Sequence, residues 1–397
     1  MTTDVLILGA GFGGLELMTR LSGALGDEVH VTLIDQSDHF VFGFSKLDVM
    51  FGHKRSDQVR SYYRDIVKPN VEFRQERIES IDPIGRRVVT EAREYEADVL
   101  VIALGADLDV AATSGLVDGG HEFYSVEGAE RLRDVLPGFE GGVALIAVLG
   151  PFFKCPPAPF EAAMMLHNYL TDRGIADAVT IRVLSLMPSP IPISSEASEG
   201  ILSGLAPRGI EFWPGCKVVR LEPDQRVAIL EDGRSVDYDL FLGIPVHRAP
   251  AVVESTGLAV DGWIPVDTAT FATSFDGVYA IGDVTSAPVP RAGVFAEGEA
   301  ATLADHLIGK LRDGSAADSY GGVASCYVEF GGGPVARVDV EFLTGPTPIG
   351  RFNPPAPQFR EEKATFASTR TSRWFGDRAI IDGDDAEQTS KMTEPES

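Results

Sequence analysis

The chain has 397 residues, enough for two or three domains with cores of their own. Hydrophobic residues make up 44% and charged residues 23%, the balance of a soluble globular protein, and no apolar run reaches the length of a membrane-spanning helix. A net charge of −25 argues against nucleic acid as a partner, and three cysteines are too few for a disulfide-stapled secreted scaffold.

No charged leader with an apolar stretch precedes the first strand, so no signal peptide is expected and the location expected is cytoplasmic. Asp4-Val-Leu-Ile-Leu8 reads as a buried parallel strand. Gly9-Ala-Gly11-Phe12-Gly13-Gly14 follows and fits G-x-G-x-x-G, and Leu15–Leu21 then has helical spacing. A second strand, Val29–Ile34, ends at Asp35 and Gln36, with Asp35 placed 21 residues after Gly14. Gly9 permits the tight turn, Gly11 lets phosphates approach, Gly14 lets helix pack on sheet, and Asp35 can accept from ribose hydroxyls. Strand, loop, helix, strand and acid in this register predict dinucleotide binding.

A later strand, Tyr95–Leu104, runs into Ala103-Leu-Gly105, after which a second α/β domain is expected over about 109–239. Its strands are expected at Val143–Leu149, at Val179–Ser185 and at Lys217–Leu221. Between the first of these and a helix-like Glu161–Leu170 lies Gly150-Pro-Phe-Phe-Lys-Cys-Pro-Pro-Ala-Pro-Phe-Glu161. A second glycine loop would be expected at this place, yet phenylalanines, prolines and a cysteine occupy it. A cysteine just ahead of a helix N-terminus and beside Lys154 lies in a field that favours thiolate. Sulfur redox chemistry at a site that gave up nicotinamide binding is the reading. The strand Val179–Ser185 also ends without an acid for a nicotinamide ribose.

The chain is expected to return to the first domain through Tyr238–Gly243 and Phe275–Asp283, followed by a helix over Gly298–Lys310. The first domain thus comprises 1–108 and 240–314. Alternating strands such as Arg337–Leu343 mark a C-terminal cap over 315–380. The acidic, unpatterned residues 381–397 are expected to be disordered. The fold class is α/β, with two Rossmann-like domains and a C-terminal α+β cap.

Phe275-Asp-Gly-Val-Tyr-Ala-Ile-Gly282-Asp283 resembles the second FAD signature of flavoproteins with two dinucleotide-binding domains, and Val99–Gly105 resembles their middle motif. Lys154-Cys-Pro-Pro-Ala-Pro-Phe-Glu161 and Ser325-Cys326-Tyr327 resemble the two cysteine motifs of the sulfide:quinone oxidoreductases and of the flavoprotein subunit of flavocytochrome c sulfide dehydrogenase. The resemblance extends to about residue 378. It implies bound FAD and a redox pair formed by Cys155 and Cys326, 171 residues apart. It implies sulfide or a low-molecular-weight persulfide as donor and a quinone or another carrier as acceptor. Two departures matter. His121–Glu130 lacks the third cysteine of many quinone-reducing members, which puts the sulfide substrate and polysulfide product in doubt. His39–Ser45 lacks the cysteine that attaches FAD in the flavocytochrome branch, so FAD should be held non-covalently.

Several residues keep two readings at this stage. Glu161 suits a general acid or base with a raised pKa, or simply a favourable first-turn charge. Lys154 either stabilises a thiolate or is a solvated charge. Cys216 and His167 read as structural, and no metal site is expected. Residues 351–378 carry six basic residues against three acids, interleaved with Phe352, Phe359, Phe366, Trp374 and Phe375. They suit either a cap packed on the flavin domain or a peripheral contact with the inner face of a membrane near a quinone entrance. Three functions are therefore open: a sulfide- or persulfide-oxidising enzyme, an NAD(P)H-dependent flavin reductase of the type II NADH dehydrogenase kind, and a flavoprotein partner of a cytochrome.

Overall fold

The computed structural model describes residues 2–312 and 318–376. In chain order, Thr3–Leu8 (β1) leads into Phe12–Leu25 (α1), then Val29–Asp35 (β2), Ser45–Met50 (α2), Val71–Gln75 (β3) and Val99–Ile102 (β4). The middle of the chain holds His121–Glu122 (β5), Val126–Val135 (α3), Gly142–Val148 (β6), Ala158–Asp172 (α4), Val179–Ser185 (β7), Ser195–Leu205 (α5), Glu211–Pro214 (β8) and Leu240–Ile244 (β9). The last part holds Val278–Ala280 (β10), Gly293–Arg312 (α6), Val323–Glu329 (β11), Val335–Glu341 (β12), Ile349–Asn353 (β13) and Pro357–Phe375 (α7).

Two five-stranded parallel sheets result. The first has the order β10-β4-β1-β2-β3 and the second β5-β9-β6-β7-β8. Strands such as Leu6–Leu8 and Leu145–Val148 are buried on both faces, which is why they read as unbroken apolar runs rather than alternating ones. The antiparallel sheet β11-β12-β13 alternates buried and half-exposed positions, because one face packs inward on α4 and α6 and the other carries polar residues. Helix α7 closes this cap over α1 through the buried Trp374 and Phe375.

Two expectations need correction. The strand around Leu240–Gly243 does not return to the first sheet; β9 pairs with β6 and β5 inside the second. A buried parallel strand looks alike in either sheet, so the apolar run carried no information about which sheet would take it. The strand over Lys217–Leu221 leaves the parallel sheet altogether and forms a three-stranded antiparallel sheet, Val218–Glu222, Val227–Leu230 and Ser235–Asp237. Asp377, Arg378 and the acidic tail fall outside the described residues.

Candidate active site

Every strand of the first sheet delivers its C-terminal end toward one elongated cavity of ≈ 680 Å³, where open parallel sheets place their ligands. One end is the glycine loop after β1. Gly9 has φ +102, and a Cβ there would lie 2.3 Å from the Ala103 carbonyl oxygen. A Cβ on Gly14 would lie 1.9 Å from the Gly9 carbonyl oxygen, so α1 can approach β1 only with hydrogen at this position. Gly11 faces open space within the cavity, and no side chain caps the first turn of α1. Those free amide directions and the helix dipole make a seat for a phosphate. Asp35 closes this end. Its carboxylate accepts from the Ala10 and Ser37 amides at 2.8 Å each, and burial raises its pKa above the usual carboxylate range.

Phe12, Gly13, Gln36, Ala103, Gly105, Gly282 and Asp283 line the same cavity. Gly282 donates its amide to Glu299, whose burial pushes its pKa up to about 8. Gly14 packs against the strand, as its place in the motif predicts, and does not itself line the cavity. Phe12 forms the floor of this end, edge-on to Phe40 and Trp374. These residues fit a dinucleotide: a cradle that a Cβ at Gly11 would fill, an uncapped helix end, and an acid beyond it.

Cys155 and Cys326 line the other end, with Glu161. Cys155 precedes α4 in the left-handed backbone region, φ +57, which is costly for a residue with a Cβ and marks a position held by its surroundings. Its amide donates to the Arg291 carbonyl at 2.9 Å. Cys326 lies mid-strand on β11, opposite Val338. Glu161 ties the two cysteine-bearing elements together, because its carboxylate accepts the Glu329 amide of β11 at 3.1 Å. Lys363 from α7 then reaches Glu161 at 3.4 Å and Glu329 at 2.6 Å.

The expected thiolate-favouring field at Cys155 is not what this arrangement produces. Burial pushes the Cys155 thiol well above its ordinary value, and charge on Cys326 and Glu161 pushes it further the same way. Lys363 and the Ala158 amide oppose that, but they are the smaller effects. Burial likewise pushes Cys326 up to about 12. Lys154 turns away and donates to the Ala106 carbonyl at 2.7 Å. The sequence places Lys154 beside the thiol; the structure gives that place to Lys363, 208 residues further along. Neither cysteine is bridged in this structure, and burial favours the neutral thiol over the thiolate at both. Burial also raises the Glu161 carboxyl, as the acid–base reading requires.

Lys46, Tyr124 and Lys363 line or border this end and were not among the expected residues. A lone lysine inside the apolar stretch Phe42–Met50 was the one available signal for Lys46. His167 stays half-buried along α4 and does not line the cavity, and Cys216 is buried where Arg234 donates to its sulfur at 3.4 Å. Among the described residues no cluster of His, Cys, Asp and Glu is set to hold a metal. The aromatics of the C-terminal segment turn inward: Phe359, Trp374 and Phe375 are buried, and Phe352 and Phe366 half-buried, as the cap-packing reading expects. Among the described residues no helix is long and apolar enough to cross a membrane.

Two parallel sheets, a nucleotide cradle and a pair of thiols at the far end of one cavity define a flavin-dependent oxidoreductase. The chain belongs to the pyridine nucleotide-disulphide oxidoreductase family, whose model matches residues 3–302, and is FAD-dependent. Within the family it is similar to mitochondrial sulfide:quinone oxidoreductase of Mus musculus, 24% identical over 86% of this chain and 79% of the mouse protein. It is also similar to type II NADH:quinone oxidoreductase of Staphylococcus saprophyticus, 29% identical over 71% of this chain and 74% of that one. Among solved structures, the sulfide:quinone oxidoreductase of Aquifex aeolicus superposes with a TM-score of 0.84 at 22% identity, covering 94% of this chain and 92% of that one, which shows a shared fold.

Proposed function

We propose that this protein oxidises sulfide or a low-molecular-weight persulfide through Cys155 and Cys326 and passes the electrons through non-covalently held FAD to a quinone. The observation that carries the reading is the convergence of both cysteines and Glu161 on the cavity that begins at the glycine loop. Gly9–Gly13 and Asp35 would hold the nucleotide part of the cofactor, and Gly282 and Asp283, which line the same cavity, would contact it as well. Bound FAD would supply a two-electron acceptor.

The protein's own part is sulfur and proton chemistry. In the oxidised form Cys155 and Cys326 share a disulfide. Hydrosulfide attacks one sulfur; a new S–S bond forms as the old one breaks, leaving a persulfide on one cysteine and a thiolate on the other. A second hydrosulfide attacks the outer sulfur of that persulfide, its bond to the cysteine sulfur breaks, and hydrodisulfide leaves as a cysteine thiol is freed. Re-forming the Cys155–Cys326 disulfide from that thiol and the thiolate releases one proton and the two electrons that bound FAD would accept. Glu161, buried with a raised pKa, takes and returns the proton, and Lys363 steadies the carboxylate when it is charged.

The second unit speaks against NADH as donor. Pro151, Phe152, Phe153 and Pro156 stand where a glycine loop would admit a pyrophosphate, and β7 ends at Ser185-Leu186-Met187 with no acid. The similarity to type II NADH dehydrogenases keeps that reading testable. Anaerobic mixing separates the two: sulfide is expected to bleach the flavin band and NADH to leave it unchanged within the same time. C155S and C326S are each expected to keep FAD and lose sulfide-driven bleaching by roughly a thousandfold or more. Rapid reduction by NADH with no response to sulfide would sink the proposal.

A further inference from the structure

Two lysines line the cysteine end of the cavity, and neither is in salt-bridge contact with a carboxylate among the described residues. Lys46, the second residue of α2, is half-buried and donates to the Tyr124 carbonyl at 2.5 Å. Lys154, next to Cys155, donates to the Ala106 carbonyl at 2.7 Å. Tyr124 ties the two lysine-bearing segments together, since its carbonyl accepts from Lys46 and its hydroxyl donates to the Lys154 carbonyl at 2.8 Å. Neither ammonium forms an ion pair with a carboxylate among the described residues; each has a backbone oxygen as its hydrogen-bonded partner.

The surroundings supply little compensation. Lys154 repels Lys46, and burial and this repulsion lower Lys46 to about 8. Glu122 and Glu127 act on Lys46 from a distance, but the Glu122 carboxylate is already occupied by the Tyr124 and Ser125 amides and the Ser125 hydroxyl. Around Lys154 stand Asp107 and Asp283, whose own carboxyls are raised by burial, and His247, which burial and the nearby cations lower to about 3 and so keep neutral. Two partly buried cations at one cavity wall favour an anion there. Bound FAD, with its ring at the cysteine end, would bring negative charge to this wall on reduction.

We propose that Lys46 and Lys154 form an electropositive wall that stabilises negative charge on the reduced flavin and so raises the reduction potential of the bound FAD. The assignment rests on FAD binding and not on the identity of the reductant. They are positioning residues: they touch the chamber of the reacting ring, not the sulfur chemistry.

The test uses the purified holoprotein and two readouts that need neither sulfide nor quinone, so failure of the sulfide reading leaves them interpretable. Sulfite adds to flavins only where positive charge stabilises the anionic adduct. K46Q and K154Q, each of which keeps a donor for its carbonyl, are expected to weaken sulfite binding about tenfold or more. The ratio of reduced to oxidised cofactor at a fixed potential should fall by the same factor, about 30 mV for a two-electron couple. K46R should restore both. If the variants fold poorly, the wild-type protein decides: sulfite affinity, referred to the same sulfite species, should fall as pH rises from about 7 to about 9 and Lys46 loses its proton. Unchanged affinity and potential in K46Q and K154Q, or a flat wild-type profile, would overturn the assignment.

Discussion

The β1–α1 loop and the β6–α4 loop are the same strand-loop-helix unit built twice, and they end in opposite chemistry. In the first, Gly11 leaves open space before an uncapped helix turn. In the second, the corresponding amides are used up inside the protein: Ala158 donates to the Cys155 carbonyl, Phe160 to the Pro157 carbonyl, and Pro159 has no amide hydrogen. Phe153 is buried against the protein rather than left open to a ligand. A helix N-terminus is an anion site only while its donors point outward. Once the loop spends them on itself, the unit becomes a rigid support for a side chain, here a cysteine held at positive φ.

That contrast can be broken from either side. The largest effect is expected in the second unit. Glu161 needs its charge to accept a proton, and its carboxyl is raised above the ordinary 4.5. Sulfide-driven reduction should therefore fall as pH falls through that raised pKa, and E161Q should remove this limb while slowing the reaction by roughly 10²–10⁴-fold. An E161Q protein with wild-type rates and an unchanged acid limb would take Glu161 out of the reaction.

In the first unit two glycines should fail differently. G14A drives a Cβ to 1.9 Å from the Gly9 carbonyl and is expected to cost about 3 kcal/mol or more of stability, read as a lowered unfolding midpoint. The Cβ of G11A meets no protein atom within 4 Å, so the variant should fold normally, yet lose FAD affinity by roughly a hundredfold or more, about 2.7 kcal/mol. Equal FAD binding in G11A would mean that the cofactor does not use this loop. The smallest effect belongs to exposed Phe152: F152A should change stability by less than about 0.5 kcal/mol and leave NADH unable to reduce the flavin. Reduction by NADH in F152A would show that a side chain, not the spent amides, blocks the second unit.

Much of the site was legible in the chain because it is local. A glycine loop must have glycines at fixed offsets, and Asp35 must stand at the tip of the next strand; both are properties of a short segment. The membership of β9 in the second sheet was not legible, because an apolar strand buried on both faces suits any central position. The electrostatics at Cys155 were misread for the same reason. Sequence proximity pointed to Lys154, whereas α7 folds Lys363 into place and burial outweighs both.

The amino-acid order alone determined the kind of cofactor loop, the loss of the second one and the presence of two thiols in distinctive motifs, since each is set by residue types at short range. Only the folded chain decided that Cys155 and Cys326 share one chamber, that Glu161 joins α4 to β11, and that Lys46 and Lys154 line that chamber bonded to backbone carbonyls rather than to acids. Charge and solvation depend on what is near in space, and Cys155 has as its neighbour Lys363, 208 residues away in the chain.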